Sequence, residues 1–398
     1  MMSQTNQNCG GHLSLRGARR VVIKVGTSIV ANDAGSLNTQ HLAPIAGEIA
    51  NLRKEGRQVV LVSSGAVGLG AGYLGLSNGR LSDVVTKQSC AAVGQSLLMR
   101  AYEQLFGSYE IKIAQILLTE DDFTDWQRYQ NLRRTTERLI KLGVLPIVNE
   151  NDTVSIAELE IVRAGGKCVF SDNDRLAALV MSKLDADALI ILTNVDGLLR
   201  RPLGRRNDCP SGENVEIVPL VTEITAGLKA LARGRSASGR GGMTTKLEAA
   251  AIAMHTGGVA IIANGTKPDT LGRIFAGEEV GTAFASGARL KGKRRWIAFA
   301  AEVRGRLVVT PDARDAIVGG KASLLASGVV RIEDHFESLD VVSIVDSNGS
   351  EFARGMANCP SREADKLIRS APTALAGKGY GPRAKVLVTR NNIVLLET

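Results

Sequence analysis

Short apolar runs alternate with longer stretches of helical periodicity over the first 286 residues of the chain. Arg20–Val25 (RVVIKV) is a β-branched run closed by Gly26; Gln58–Val62 is a second, followed by Ser63-Ser64-Gly65-Ala66. Further runs fall near Ile111–Leu118, Leu145–Val148, Ala188–Leu192 and Val259–Ala263. Helical spacing fills the intervals at Thr39–Glu55, Asp83–Phe106, Asn131–Lys141, Asp174–Lys183 and Thr244–His255. Strands that are apolar throughout need cover on both faces. The pattern therefore predicts an α/β fold, with an open, mainly parallel sheet sandwiched by helices. Ligands of such sheets bind beyond the carboxyl ends of the strands. Every predicted strand except the one near Ile111 runs into a loop rich in Gly, Asn or Ser.

Thr153–Cys168 breaks the rhythm: its alternating residues and Gly165-Gly166 predict a hairpin that could cover a site. Arg200–Gly212 and Gly234–Gly242 read as exposed loops. After Ser286–Lys293 short strands dominate, at Arg306–Val309, Val329–Ile332, Val341–Val345, Lys385–Val388 and Ile393–Leu396. Asn348-Gly349 and Asn391-Asn392 suit hairpin turns. The expected organisation is a disordered lead-in over 1–18, an α/β domain over 19–286, a linker over 287–293 and a small β-rich domain over 294–398.

Composition narrows the class. No apolar run approaches the ~20 residues of a membrane helix, and Met1–Gly11 is polar, without the apolar core of a signal peptide. Five scattered cysteines with no C-x-x-C pair argue for reduced thiols in a cytoplasmic protein. The net charge is +9, of which Gly287–Thr398 carries +6 from 18 basic and 12 acidic residues. A surplus of that size is ordinary for a solvated face and is weak grounds for RNA binding.

The candidate chemistry sits at the strand ends. Lys24 with Gly26-Thr27-Ser28 could hold an anion on backbone N–H groups and a lysine, and a plain turn accounts for it about as well. No G-x-x-x-x-G-K-[ST] loop occurs. Ser63-Ser64-Gly65-Ala66-Val67-Gly68 could hold a carboxylate or phosphate, though tight strand–helix packing also explains its small residues. Asn149-Glu150-Asn151-Asp152 is too polar for packing, and its Asn and Asp side chains could accept from an ammonium group. Ser171-Asp172-Asn173-Asp174 precedes a helix. Capping explains one of these residues, and the others suggest substrate or metal contacts. Gly239-Arg240-Gly241-Gly242-Met243-Thr244-Thr245-Lys246 opens another helix, where N–H groups and Lys246 could cradle nucleotide phosphates.

Taken together, Lys24-Val25-Gly26-Thr27-Ser28, Ser64-Gly65-Ala66, Ala91-Ala92-Val93-Gly94-Gln95, Asn149-Glu150-Asn151-Asp152, Asp172-Asn173-Asp174 and Gly241-Gly242-Met243-Thr244-Thr245-Lys246 resemble the glutamate 5-kinases of the amino acid kinase family. The resemblance covers roughly Arg19–Ser286. The segment from Arg294-Arg295-Trp296-Ile297 onward is similar to the PUA domain appended to many bacterial members. The resemblance implies ATP-dependent phosphorylation of the γ-carboxylate of L-glutamate, the first step of proline biosynthesis, with Mg2+ carried on ATP and no protein-held metal. It implies Lys24 and Lys246 as charge stabilisers in phosphoryl transfer, with Asp174 holding them in place. Ser64, Gly65, Asp152 and Asn173 would bind glutamate. Nucleotide contacts would come from Lys24, Gly26, Thr27, Thr193, Asn194 and the run Arg240, Gly241, Gly242, Met243, Thr244, Thr245, Lys246. Proline is the implied feedback inhibitor, and a homo-oligomer (dimer or tetramer) the implied assembly. The apolar helix Asp83–Phe106 is suited to an interface.

The chemistry agrees with that cast. A γ-carboxylate with a pKa near ~4.3 is already ionised and needs no general base. Phosphoryl transfer then rests on positioning and on cations. Departures from the family pattern lie on the nucleotide side: Arg240 for Thr, Asn194 for Asp, and Leu199-Arg200-Arg201-Pro202 where Tyr and an Asp-Pro pair are usual. They predict altered nucleotide affinity or donor preference. Ser171 also replaces a usual glycine. Two other readings compete, a kinase of the same fold acting on aspartate or acetylglutamate, and an RNA-binding or regulatory protein with a decayed kinase site. Retention of Lys24, Asp174 and Lys246 argues against decay.

Overall fold

The computed structural model describes residues 15–32, 34–76, 83–119, 121–154, 173–200, 216–231, 242–285, 297–298, 303–319, 322–370 and 386–396. The expected hairpin at Thr153–Cys168, the loops 201–212 and 234–241, and the linker 287–293 fall wholly or mainly outside them, as do Asp172, Arg240 and Gly241 of the motifs. The chain divides into two compact units, one of Met1–Asp122 with Trp126–Arg289, the other of Phe123–Asp125 with Leu290–Thr398.

In the first unit the elements follow in the order β1 (Arg20–Val25), α1 (Thr27–Val30), α2 (Thr39–Lys54), β2 (Gln58–Ser63), α3 (Ala66–Tyr73), α4 (Val84–Gly107), β3 (Ile113–Leu118), α5 (Trp126–Lys141), β4 (Leu145–Glu150) and α6 (Asn173–Lys183). They continue with β5 (Ala188–Thr193), β6 (Leu199–Arg200), β7 (Glu216–Ile217), β8 (Leu220–Val221), α7 (Met243–His255), β9 (Val259–Asn264), α8 (Thr270–Ala276) and β10 (Thr282–Ala285). Eight strands form one sheet in the order β3-β4-β2-β1-β5-β9-β10-β8. Pairing is parallel from β3 across to β9, whereas β10 runs antiparallel to β9. The mainly parallel sheet read from the apolar runs is therefore present, and β1, β2 and β5 are buried almost throughout.

Register puts the site on one rim. Val25 pairs with Ser63 on one side and Leu192 on the other, Val62 with Val148, and Thr193 with Asn264. The loops after β1, β2, β4, β5 and β9 consequently open side by side. The strand order reverses at β1, flanked by β2 and β5, which is where an open α/β sheet leaves a crevice.

Several element bounds differ from the sequence reading. Helix α5 starts at Trp126 rather than Asn131, and Asn149 and Glu150 lie inside β4 rather than in the loop after it. Asn173 and Asp174 both lie in the first turn of α6, so neither is its cap. The lead-in does not extend to residue 18. Leu15 is buried in the main core, and the Arg57 guanidinium donates to the carbonyls of Leu15, Arg16 and Ala18. Leu15 and Ala18 in the core, the Arg57 guanidinium and the Asp187 carboxylate, which accepts from the Arg19 N–H, thus order the segment before β1.

The second unit is β-rich: β11 (Val303–Val309), α9 (Pro311–Val318), β12 (Leu324–Leu325), β13 (Val329–Glu333), β14 (Val341–Val345), β15 (Glu351–Met356), α10 (Ser361–Ser370), β16 (Val386–Val388) and β17 (Ile393–Leu395). Five strands pair in the order β13-β11-β14-β15-β17. The turn at Asn348-Gly349 joins the antiparallel pair β14–β15, with Gly349 at φ +81°. Asn391-Asn392 does not make a hairpin, because β16 pairs with β12 and β17 with β15. The two strands belong to different sheets, and a short 3-10 turn at Arg390–Asn392 carries the chain between them.

Candidate active site

Asp174 is the centre of the site. It lies in the first turn of α6 and is fully buried, a position a lone carboxylate could not hold as an ion. Two cations compensate. Lys24 Nζ, from β1, lies 2.7 Å from Asp174 Oδ1, and Lys246 Nζ, from the first turn of α7, lies 3.0 Å from Oδ2. Both lysines are buried as well, at 4% and 5% exposure. Burial works to raise the Asp174 pKa, but the two ammonium groups win and hold it down at about 2. Thr245 Oγ1 stands 2.9 Å from the Gly242 carbonyl and 3.3 Å from Asp174 Oδ2. Two positive charges and one negative leave a net cation at the strand ends, suited to an anionic group with developing charge.

One residue away, Asn173 builds a different surface. Its Nδ2, with two N–H groups to donate, lies within hydrogen-bond reach of three acceptors, the Ser63 carbonyl (2.9 Å), Ser64 Oγ (2.9 Å) and Asn149 Oδ1 (3.0 Å). Ser64 is placed there by Gly65, which takes φ +99° and packs where a Cβ would lie 2.7 Å from Val30 Cγ1. Only glycine satisfies both the left-handed backbone and that contact. Ser63 is fixed from α4, since its Oγ lies 2.8 Å from the Tyr102 hydroxyl, whose pKa burial pushes up to about 12. Asp152 is half-buried in the turn after β4. It lines, with Gln95, Arg100, Glu103 and Glu150, a cavity of about 830 Å3 between α4, β3 and β4.

On the far side of β1, Thr193 is buried at the end of β5, while Asn194 is exposed, its Oδ1 3.4 Å from Thr193 Oγ1. Gly242 precedes the first turn of α7, so Met243, Thr244, Thr245 and Lys246 open that helix, where N–H groups lack partners inside the helix. Within the Gly26-Thr27-Ser28 loop expected to hold an anion on backbone N–H groups, the N–H of Gly26 is engaged inside the sheet. That N–H donates to the Leu192 carbonyl at 3.1 Å and closes β1 onto β5. Thr27 beside it is exposed, at the start of α1.

Residues 19–264 match the amino acid kinase family. The chain belongs to that family. Residues 305–371 match the PUA domain. The glutamate 5-kinase of Myxococcus xanthus (strain DK1622) is 42% identical over 90% of this chain and 91% of its own. That of Moorella thermoacetica (strain ATCC 39073 / JCM 9320) is 41% identical over 98% of this chain and 100% of its own. The glutamate 5-kinase of Caldanaerobacter subterraneus subsp. tengcongensis is 39% identical over 95% of this chain and 98% of its own.

Of the residues expected in this family member's site, Lys24, Asp174 and Lys246 meet in one cluster, and Ser64 and Asn173 in another. Arg240 and Gly241 lie outside the described residues. Gln95, which accepts from Asn149 Nδ2 at 2.8 Å, and Tyr102 join the site without a role legible in the motifs. A further cluster lies beyond the ends of β5 and β9: Asp196 Oδ1 accepts from Lys267 Nζ (2.7 Å) and Asn264 Nδ2 (2.9 Å). The available signal was the polar run Asn264-Gly265-Thr266-Lys267 directly after an apolar strand.

Proposed function

We propose that this chain transfers the γ-phosphoryl group of ATP to the γ-carboxylate of L-glutamate, giving γ-glutamyl phosphate and ADP at the start of proline biosynthesis. The observation that carries the reading is the buried Lys24–Asp174–Lys246 cluster beside the Asn173–Ser64 pair. The γ-carboxylate is ionised at neutral pH and attacks without a general base. One of its oxygens bonds to the γ-phosphorus as the bond to the β,γ-bridging oxygen breaks. The electron pair leaves with ADP. Lys24 and Lys246 neutralise charge spreading over the phosphoryl oxygens, and Asp174 keeps both ammonium groups aimed there. Asp174 has both oxygens committed to lysines, which makes it a poor metal ligand and fits a metal brought in by the nucleotide. Mg2+ bound to ATP supplies further neutralisation of the phosphates. Ser64, Asn173 and Asp152 bind the amino acid, while Thr193, Asn194 and the start of α7 line the nucleotide side.

ATP consumption by the purified protein with Mg2+ and glutamate, against aspartate and acetylglutamate, tests the reading. The expected result is turnover with glutamate that disappears in Lys246→Ala; no turnover with any of the three overturns it. On the same reading proline, which shares the α-carboxylate and amine, competes with glutamate, so proline that leaves the KM for glutamate unchanged contradicts the inhibitor proposal. Helix α4 and edge strand β3 are proposed to form a subunit contact in a cytoplasmic oligomer, and sedimentation as a monomer would rule that out. RNA is not the favoured ligand of the second unit, where Arg306 and Arg331 pair with Glu333, and Arg354 with Glu351.

A further inference from the structure

Three side-chain amides stand in a row between α4 and the end of β2. Gln95 follows Gly94, where α4 presses on α3 so closely that a Cβ would lie 1.8 Å from the Ala66 carbonyl oxygen. Gln95 Oε1 accepts from Asn149 Nδ2 at 2.8 Å. Asn149 Oδ1 accepts from the Glu150 N–H at 2.9 Å and from Asn173 Nδ2 at 3.0 Å. Asn173 Nδ2 reaches the Ser63 carbonyl and Ser64 Oγ.

Two backbone groups fix the direction of the row. The Ser63 carbonyl can only accept, so the NH2 end of Asn173 faces it, and the Glu150 N–H can only donate, so the oxygen of Asn149 faces that. The NH2 of Asn149 then points at position 95, which has to present an acceptor. Both ends of the row are left open among the described residues: Asn173 Oδ1 is a buried acceptor with no partner there, and Gln95 Nε2 a buried donor with none. Buried polar atoms are costly to leave unpaired, and an unpaired acceptor beside Ser64 calls for a donor that arrives with the ligand.

We propose that Gln95 is a positioning residue for the amino-acid substrate. By accepting from Asn149 it holds Asn173 with Oδ1 turned to receive the α-ammonium group of L-glutamate; the inference rests on reading the site as a glutamate kinase. Removing the acceptor at 95 strands the Asn149 NH2, frees that side chain to turn, and loosens one of the three contacts that orient Asn173. The loss falls on the ammonium contact and not on phosphoryl transfer.

Steady-state kinetics of the full chain test this with L-glutamate as substrate and glutarate, which lacks the amine, as competing ligand. Gln95→Leu is expected to raise the KM for glutamate about tenfold, with the KM for ATP unchanged and the glutarate inhibition constant within about twofold. Gln95→Glu, which keeps an acceptor oxygen there, is expected to stay within about threefold of the wild type and carries the test if the leucine variant does not fold. Equal weakening of glutamate and glutarate, or a Gln95→Glu variant as impaired as Gln95→Leu, overturns the proposal. A wild-type chain that does not turn over glutamate overturns the functional reading itself, a result distinct from either variant outcome.

Discussion

Asn173 and Asp174 are consecutive in the first turn of α6, yet their side chains engage different neighbours. Asn173 donates toward β2 and β4, while Asp174 receives the ammonium groups of Lys24 on β1 and Lys246 on α7. Successive helical residues diverge by about 100°. A single helix terminus thereby ties the side of the site proposed for the amino acid to the side proposed for the phosphoryl group, and holds the two at a fixed separation.

Asp174→Asn leaves two buried ammonium groups without their anion. Breaking a buried ion pair from one side costs about 3–5 kcal/mol, so chemical denaturation should register a loss of that order, with kcat reduced by about 100-fold or more. The pH dependence has a definite sign. With the folded pKa held at about 2 against an ordinary 3.8, the stabilisation is complete above the ordinary value and lost as pH falls through about 2. Asp174 therefore contributes no acid limb to activity between pH 5 and 8, as a pH–rate profile will register.

Lys183, at the other end of α6, is 1% exposed, and its Nζ lies 2.9 Å from the centroid of the Tyr129 ring and 5.8 Å from that of Trp126. Burial, aided by Arg133, drives its pKa down to about 6 against the pull of Glu137 and Asp185. A lowered folded pKa means the unfolded chain binds the extra proton. The resulting penalty is full below about pH 6 and relieved as pH rises toward the ordinary lysine value. Lys183→Met should melt higher than the wild type at pH 6, with the gain shrinking toward pH 10. A gain independent of pH would contradict the assignment.

Gly65→Ala forces a side chain onto a φ of +99° with its Cβ 2.7 Å from Val30 Cγ1. Strain of this kind costs about 1–3 kcal/mol, and the displaced Ser64 should raise the KM for glutamate more than that for ATP. Thermal unfolding together with the two KM values separates these effects.

Tyr102→Phe keeps the shape of α4 but removes the hydroxyl that lies 2.8 Å from Ser63 Oγ. Loss of one such buried hydrogen bond is expected to cost about 1 kcal/mol. The effect on catalysis should be confined to a KM for glutamate raised about twofold, read from initial rates at saturating ATP.

Much of this arrangement is legible in the chain itself. The apolar runs at Arg20–Val25, Gln58–Val62 and Ala188–Leu192 mark buried parallel strands because they are short, rich in branched residues and separated by helical stretches. The polar clusters that follow mark the strand ends. Element ends were less legible. Nothing local says that Asn149 and Glu150 stay in β4, or that Leu15 joins the core, because both depend on partners far away in sequence.

The sequence by itself determined the class of fold, because hydrophobic period is a local property, while the family and the expected cast of charged residues came from the resemblance of its motifs to a known family. Only the tertiary structure decided which of those residues act together. Lys24, Asp174 and Lys246 are separated by as many as 222 positions along the chain and meet only because β1 ends, and α6 and α7 begin, on one rim of the sheet. The same holds for the row from Gln95 to Asn173. A hydrogen bond requires donor and acceptor to lie about 3 Å apart and in line, and that condition belongs to the packed molecule and not to the order of its residues.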